Sequence, residues 1–354
     1  MQRVKLADVA RAAGVHPGTA SRALNPATRD QVSRATSKRV ARAAERLGYV
    51  PNTFARGLRT ARSYLVGMVV PDVTNPLFPP MVRGAEQVLS RAGYTLVLTD
   101  TDNDAGTERR QVEQLRARGT DGFIIATARW EDRLLDEVAE ARVPTVLVNR
   151  NTSGGRLPYV GGDERAGIKL AVDHLVGLGH RRIAYLAGPQ DTSTGRERAA
   201  AFRQAVAGHT LPTWRTQVRP CAAYTEAAGA AAAVRLLASA AEFTAVLAGN
   251  DLIALGALDA FSRAGIHCPD RVSVVGFNDL PMVDRLTPPL STVRLPLHEM
   301  GTLAARILLD EIDAAGPTDG GGSAMQPAQP QRVAQSLLGV ELAVRGTTAA
   351  PARS

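Results

Sequence analysis

From Tyr64 onward the chain alternates short apolar runs with stretches of helical period, and this alternation leaves few architectures open. Runs at Leu65 to Val70, Thr95 to Thr99, Gly122 to Thr127 and Thr145 to Val148 form one series. A second series holds Ile183 to Ala187, Ala245 to Ala248 and Val272 to Val275, with helices expected near Glu164 to Leu178, Glu197 to Ala207, Thr225 to Ala240 and Leu252 to Ala264. Continuous apolar strands joined by helices describe open parallel sheets covered on both faces. Two series therefore predict two lobes with one sheet each. Ligands of such sheets bind beyond the carboxyl ends of the strands, so two facing lobes would set those ends on either side of a cleft.

The first sixty residues are written differently. Leu6 to Ala12, Pro17 to Leu24 and Ser33 to Leu47 read as three short helices, with Ala13-Gly14-Val15 making the first turn tight. Residues 1–60 hold twelve Lys and Arg against Asp8, Asp30 and Glu45, a net of +9, whereas the remainder carries 30 basic and 31 acidic groups. A basic head on a neutral body is the electrostatic footprint of a module that binds a polyanion, because each phosphate neutralised releases a condensed counterion. Between head and body, Pro51 to Leu58 reads as a marginal helix: proline suits its first turn and Gly57 weakens it.

Other features narrow the function classes. Cys221 and Cys268 are the only cysteines, too few for a disulfide framework or a Cys-rich metal site, and His174, His180, His209, His267 and His298 lack ligand spacing. No metal and no cofactor is expected. The first residues hold no apolar signal core, and no stretch approaches the roughly 20 apolar residues of a membrane span, so a cytoplasmic protein without membrane partners is expected. Residues 314–331, rich in Gly, Pro, Ala and Gln, read as an exposed loop ahead of a last strand near Leu338 to Val344, and 346–354 as a frayed tail.

Val4 to Asn25, with Asp8-Val9-Ala10, Ala13-Gly14-Val15 and Thr19 to Asn25, resembles the helix-turn-helix headpiece of the lactose-repressor (LacI/GalR) family. The resemblance continues through Leu47 to Asn52, Gly67 to Asp72, Thr74-Asn75-Pro76, Gly276-Phe277 and Pro288 to Val293, nearly the whole chain in order. It implies an N-terminal all-α head on residues 1–50, a hinge on 51–62, and an α/β two-lobed core like that of periplasmic binding proteins on 63–345. The first lobe would span about 63–160 with a returning segment near 291–314, and the second about 161–290 with the C-terminal strand. It also implies a sequence-specific repressor that binds a double-stranded operator as a homodimer, its first lobe supplying most of the interface near Pro80 to Gln87. No heptad tail for further assembly is visible.

A helix-turn-helix places the start of its second helix against base edges in the major groove. Here that start is His16, Pro17 and Gly18, of which only His16 carries a side-chain hydrogen-bonding group; it suits a cap or a phosphate contact. Arg22 is a candidate base reader, since a guanidinium can donate twice to guanine for about 1–3 kcal/mol of discrimination, with a phosphate contact as the alternative. Thr19 and Ser21 suit phosphate, Pro17 a thymine methyl, and Asn25 closes the motif. In regulators that the hinge resembles, the segment folds on the operator and wedges a leucine into the minor groove; that leucine would be Leu58, beside Ala55 and Arg56.

Sugar-type ligands require paired donors and acceptors plus an apolar or aromatic platform. The resemblance points to Arg198 and Thr194 in the loop after Gly188, to Asn250 after the strand ending at Ala248, to Tyr224 as platform, and to Leu77 and Phe78 on the other lobe. Asn278 and Asn149 stand where the family commonly has aspartate, which removes negative charge and eases acceptance of a neutral or anionic sugar derivative. Two other classes are weighed. A stand-alone solute-binding protein needs an export signal and no basic head. An enzyme with a nucleotide site in the same architecture would show a phosphate-binding glycine fingerprint after the first strand, or a constellation of nucleophile, base and orienter, and neither is legible. Within the regulator class, an activator or a regulator gated by a protein partner is the alternative.

Overall fold

A computed structural model describes residues 4–24, 28–49, 62–211, 216–239, 242–316 and 334–352. The chain divides into two compact units, residues 1–63 and 64–354. The hinge residues Ala55, Arg56 and Leu58, together with Asn25 and most of the 314–331 loop, lie outside the described residues.

In the first unit, α1 (Leu6–Ala12), α2 (Pro17–Leu24) and α3 (Arg34–Arg46) enclose a small core of Val9, Ala10, Ala13, Ala20, Ala23, Val40, Ala43 and Ala44. The alanines let the helices approach closely. Gly14 takes φ +62° in the turn between α1 and α2, a left-handed conformation that glycine adopts at no steric cost. Ser33 caps α3 by accepting from Thr36 N at 3.3 Å, and Arg39 Nε reaches back to Ala13 O at 2.9 Å. A 3-10 turn at Arg29–Gln31 joins α2 to α3.

The second unit holds two six-stranded sheets. The first is built from β1 (Leu65–Val70), β2 (Thr95–Asp100), β3 (Gly122–Ile125), β4 (Thr145–Val148), β5 (Tyr159–Gly162) and β11 (Gln335–Leu338), in the order β11-β5-β4-β3-β1-β2, all parallel. On one face lie α4 (Phe78–Arg91) and α11 (Leu297–Ala315); on the other, α5 (Ala105–Ala117) and α6 (Arg133–Glu140). Alternate residues of β1 split accordingly. Val66, Met68 and Val70 join the cluster of Met81, Ala85, Met300 and Ala304, while Val69 packs with Val112, Leu115 and Leu135. The α4–α11 crossing requires glycine at the contact, because a Cβ on Gly84 would stand 2.1 Å from His298 O and one on Gly301 2.0 Å from Met81 O.

The second sheet runs β12-β10-β9-β8-β6-β7, from β6 (Ile183–Ala187), β7 (Thr216–Pro220), β8 (Ala245–Ala248), β9 (Ser273–Asn278), β10 (Ser291–Arg294) and β12 (Glu341–Ala343). Only β12 is antiparallel, against β10. Its helices are α7 (Glu164–Gly177), α8 (Ser193–Gly208), α9 (Glu226–Leu237) and α10 (Asp251–Arg263).

Several sequence-based expectations need correction. The segment near 291–314 divides: β10 belongs to the second sheet, and only α11 returns to the first lobe. The single strand near Leu338 to Val344 is two strands in different sheets, separated by Gly339 and Val340. The tail is not frayed at 346–349. Thr347 is fully buried, its carbonyl accepts from Val274 N at 2.8 Å and its hydroxyl from Ser291 N at 2.8 Å. Ala349 follows, donating to Ser273 Oγ at 3.0 Å with its carbonyl 2.9 Å from His180 Nε2. These bonds satisfy the start of β9, at Ser273 and Val274, ahead of the point where β10 begins to pair with it, which is why the segment stays down. Helix α8 begins at Ser193 rather than near Glu197, because Thr192 caps it by accepting from Gly195 N.

Candidate effector cleft and DNA-reading helix

The cleft lies at the carboxyl ends of both parallel sheets. Leu77 and Phe78 stand at the start of α4 after β1, and Asn149 follows β4. From the second lobe come Thr194 and Arg198 on the first turns of α8, Tyr224 after β7, Asn250 after β8 and Asn278 at the end of β9. All eight line one cavity, joined by Asn75 and Arg150. The start of α8 at Ser193, capped by Thr192, is what aims Thr194 and Arg198 into it.

Arg198 is 2% exposed and heavily engaged. Its Nε and Nη2 bind the two oxygens of Glu164, its Nη1 donates to Gly249 O at 2.6 Å, and its guanidinium lies 3.8 Å from the centre of the Phe277 ring. Burial opposes the charge, but the adjacent Glu164 carboxylate overcomes this and holds the guanidinium pKa above its ordinary value. Three of five N–H donors are therefore spent, and two remain for a ligand.

The other polar groups have partial commitments of the same kind. Asn250 caps α10 by accepting from Ile253 N at 2.9 Å, which leaves its amide NH2 as the group available to a ligand. Thr194 Oγ1 and Tyr224 OH share a hydrogen bond at 2.9 Å. Asn149 has φ +66° and Asn278 φ +122°, conformations unusual for non-glycine residues, and Asn278 Oδ1 is buried with no hydrogen-bond partner. Beneath them Asp251 is fully buried; burial pushes its carboxyl up to about 6, against bonds from Thr292 Oγ1 at 2.5 Å and Leu280 N at 2.7 Å.

The lobes touch across the mouth of the cleft. Trp130 N donates to Asp191 O at 2.7 Å, Asn151 N to Ser193 Oγ at 2.8 Å, and the Arg196 guanidinium lies 5.1 Å from the Trp130 ring centre. The open space inside is about 20 Å³. One water needs about 10–15 Å³ by the same measure, so a monosaccharide enters only if side chains or lobes move apart.

Sequence reasoning missed Asn75, Arg150 and Glu164. Asn75 lay within the quoted Thr74-Asn75-Pro76 motif and Arg150 stood next to Asn149, so adjacency could have flagged both. Glu164 is legible in the sequence only as the start of a helix, which Asp163 caps in the structure, its Oδ1 accepting from Ala166 N at 2.9 Å.

In the head, His16 Nδ1 accepts from Gly18 N at 3.1 Å and so caps α2, one of the two roles read for it. His16, Pro17 and Arg22 are exposed, and Gly18, Thr19 and Ser21 partly so, while Ala20 and Ala23 face the core. Arg22 Nε donates to Gly18 O at 3.3 Å along its own helix. Among the described residues, the predicted DNA-facing Pro17, Gly18, Thr19, Ser21 and Arg22 thus lie on the unburied side of α2, with His16 at its cap.

A helical DNA-reading head and a two-lobed α/β body with a polar cleft define a DNA-binding transcriptional regulator. Residues 5–52 match the model of bacterial regulatory proteins of the lacI family, and residues 172–348 match a periplasmic binding protein-like domain. The chain is 39% identical to an HTH-type transcriptional regulator in the aml 5′ region of Streptomyces limosus, covering 87% of this chain and 88% of that one. Among solved structures, the Lac repressor dimer bound to operator and the anti-inducer ONPF matches with a TM-score of 0.80 at 26% identity, covering 99% of this chain and all of that one. A complex of the transcriptional regulator CelR with cellobiose matches at TM-score 0.69 and 31% identity, covering 98% and 100%. The chain belongs to the LacI family of transcriptional regulators. Among the described residues, no helix is long and apolar enough to cross a membrane.

Proposed function

We propose that this regulator is a cytoplasmic repressor that binds a palindromic operator as a homodimer and is released from it, or recruited to it, by a sugar-like effector held between the two lobes. The observation that carries the reading is the single cavity lined by Leu77, Phe78, Asn149, Thr194, Arg198, Tyr224, Asn250 and Asn278, an apolar platform surrounded by hydrogen-bonding groups from both sheets. Such a site suits a polyhydroxylated molecule, and the cellobiose in the related CelR complex supports that class.

The closed cleft gives effector control a physical basis. A ligand larger than water must displace the Trp130–Asp191 and Asn151–Ser193 contacts or the side chains behind them, so occupancy and lobe arrangement are coupled. An inducer binds more tightly to the arrangement that disfavours operator binding, and a corepressor the reverse.

For dimerisation, a groove of about 410 Å³ on the first lobe is lined by Val70, Val73, Phe78, Pro79, Val82, Arg83, Glu86, Gln87 and Leu98. Val73 and Leu98 are 48% and 39% exposed. A second copy is the occupant that fits, because the related Lac repressor binds its operator as a dimer and two heads suit two half-sites.

The test is selection of bound duplexes from a random pool by the purified protein, with and without a panel of sugars. A recovered palindrome whose enrichment one sugar changes supports the proposal. A palindrome indifferent to every sugar removes the effector part, and recovery of single half-sites removes the dimer.

A further inference from the structure

Arg150 leaves a charge in the cleft unanswered. It follows Asn149 off β4 and is 8% exposed, yet its buried Nε has no hydrogen-bond partner. Its guanidinium lies 5.9 Å from the Tyr224 ring centre, a contact that seats a cation without neutralising it. Of the two carboxylates that act on it, Glu108 is committed to Arg129 and Thr127. Asp191 acts on Arg150 only through space. Burial pushes the Arg150 pKa below the ordinary arginine value, the direction expected of a cation without a counter-ion.

A neutral hydroxyl could accept from Nε but would leave the charge buried, which is costly; an anionic oxygen answers both needs. Asn278 Oδ1, lining the same cavity and also unpartnered, requires a donor that a sugar hydroxyl supplies. We infer that the effector is a sugar derivative bearing an anionic group, phosphate or carboxylate, and that Arg150 is the residue that selects for it. This rests on the effector reading of the cleft given above.

The experiment is calorimetric titration of the full chain and of Arg150→Met with glucose, glucose 6-phosphate, fructose, fructose 1-phosphate, gluconate and cellobiose. Methionine keeps a long apolar stem against Tyr224. An anionic member should bind at least about tenfold more tightly than its neutral parent, as a charge-assisted bond implies, and Arg150→Met should erase that preference. Whether the sugar phosphates or gluconate show it separates the two anion sources. Without any sugar, Arg150→Met should melt about 2–4 °C higher, because an unanswered buried cation has been removed. A neutral sugar that binds as tightly as its anionic form, with unchanged affinity in Arg150→Met, would overturn the inference and leave the effector reading standing. A lower sugar-free melting temperature for Arg150→Met would also overturn it, since the fold would then be using the charge. No binding by any member, neutral or anionic, would overturn the effector reading itself.

Discussion

The variant Glu164→Gln tests how the cleft holds its central arginine. Glu164 and Arg198 are 3% and 2% exposed and meet through two hydrogen bonds, so water screens the pair little. Removing one partner of a buried pair typically costs about 3–5 kcal/mol, because the other charge is stranded. Glutamine keeps one acceptor oxygen and nearly the same volume, which places the expected loss at the lower end, about 3 kcal/mol. For a body of this size that corresponds to a fall in melting temperature of about 6–8 °C, read by calorimetry without sugar. The pair can be removed together. Glu164→Gln with Arg198→Met strands no charge and should regain most of the loss, giving an interaction energy of about 2–3 kcal/mol in a double-mutant cycle. If Glu164→Gln melts within about 2 °C of the parent, or the double variant is no better than the single, the guanidinium does not depend on Glu164 and the reasoning fails.

Three further expectations concern other levels of the structure. Arg22→Ala should relax preference at one base of each half-site by about 1–3 kcal/mol in competition binding; uniform weakening on all duplexes would assign Arg22 to phosphate instead. Gly301→Ala should destabilise the body by about 1–3 kcal/mol in chemical denaturation, since its Cβ would meet Met81 O at 2.0 Å and push α11 from α4. Asp251 has a folded pKa of about 6 against an ordinary 3.8, so the fold binds its proton more tightly than the unfolded chain does. Its contribution is present below the unfolded value and lost as pH rises through 6, on the order of 3 kcal/mol at most. Stability measured from pH 4 to 7 should therefore slope less steeply downward with pH in Asp251→Asn, and an unchanged slope would count against a titrating Asp251.

What the sequence disclosed followed the strength of its periodic signal. The apolar runs Leu65 to Val70 and Ile183 to Ala187 are buried on both faces and read plainly as parallel strands. Strand β5 is Tyr-Val-Gly-Gly and β7 alternates polar residues at a sheet edge, so neither shows a continuous apolar run. The cleft was legible where a residue follows a clear strand, as Asn250 follows Ala248. Arg150 and Glu164 were not, because their meaning depends on which charges meet. Glu164 and Arg198 are 34 positions apart, and only the packing of α7 against α8 shows that one answers the other while Arg150 goes without.

The strand order also decides what can be exchanged between proteins of this build. The first lobe is assembled from residues 64–162, α11 and β11, and the second from 164–278, β10, β12 and the segment ending at Ala349. Neither is a continuous stretch, so no single cut excises a whole lobe: a cut after β5 leaves α11 and β11 of the first lobe with the second, and the body should melt in one cooperative step. The head, by contrast, is uninterrupted through Ser63. One crossover there can attach a new operator preference to an old effector response, whereas changing the response means altering the cleft residue by residue.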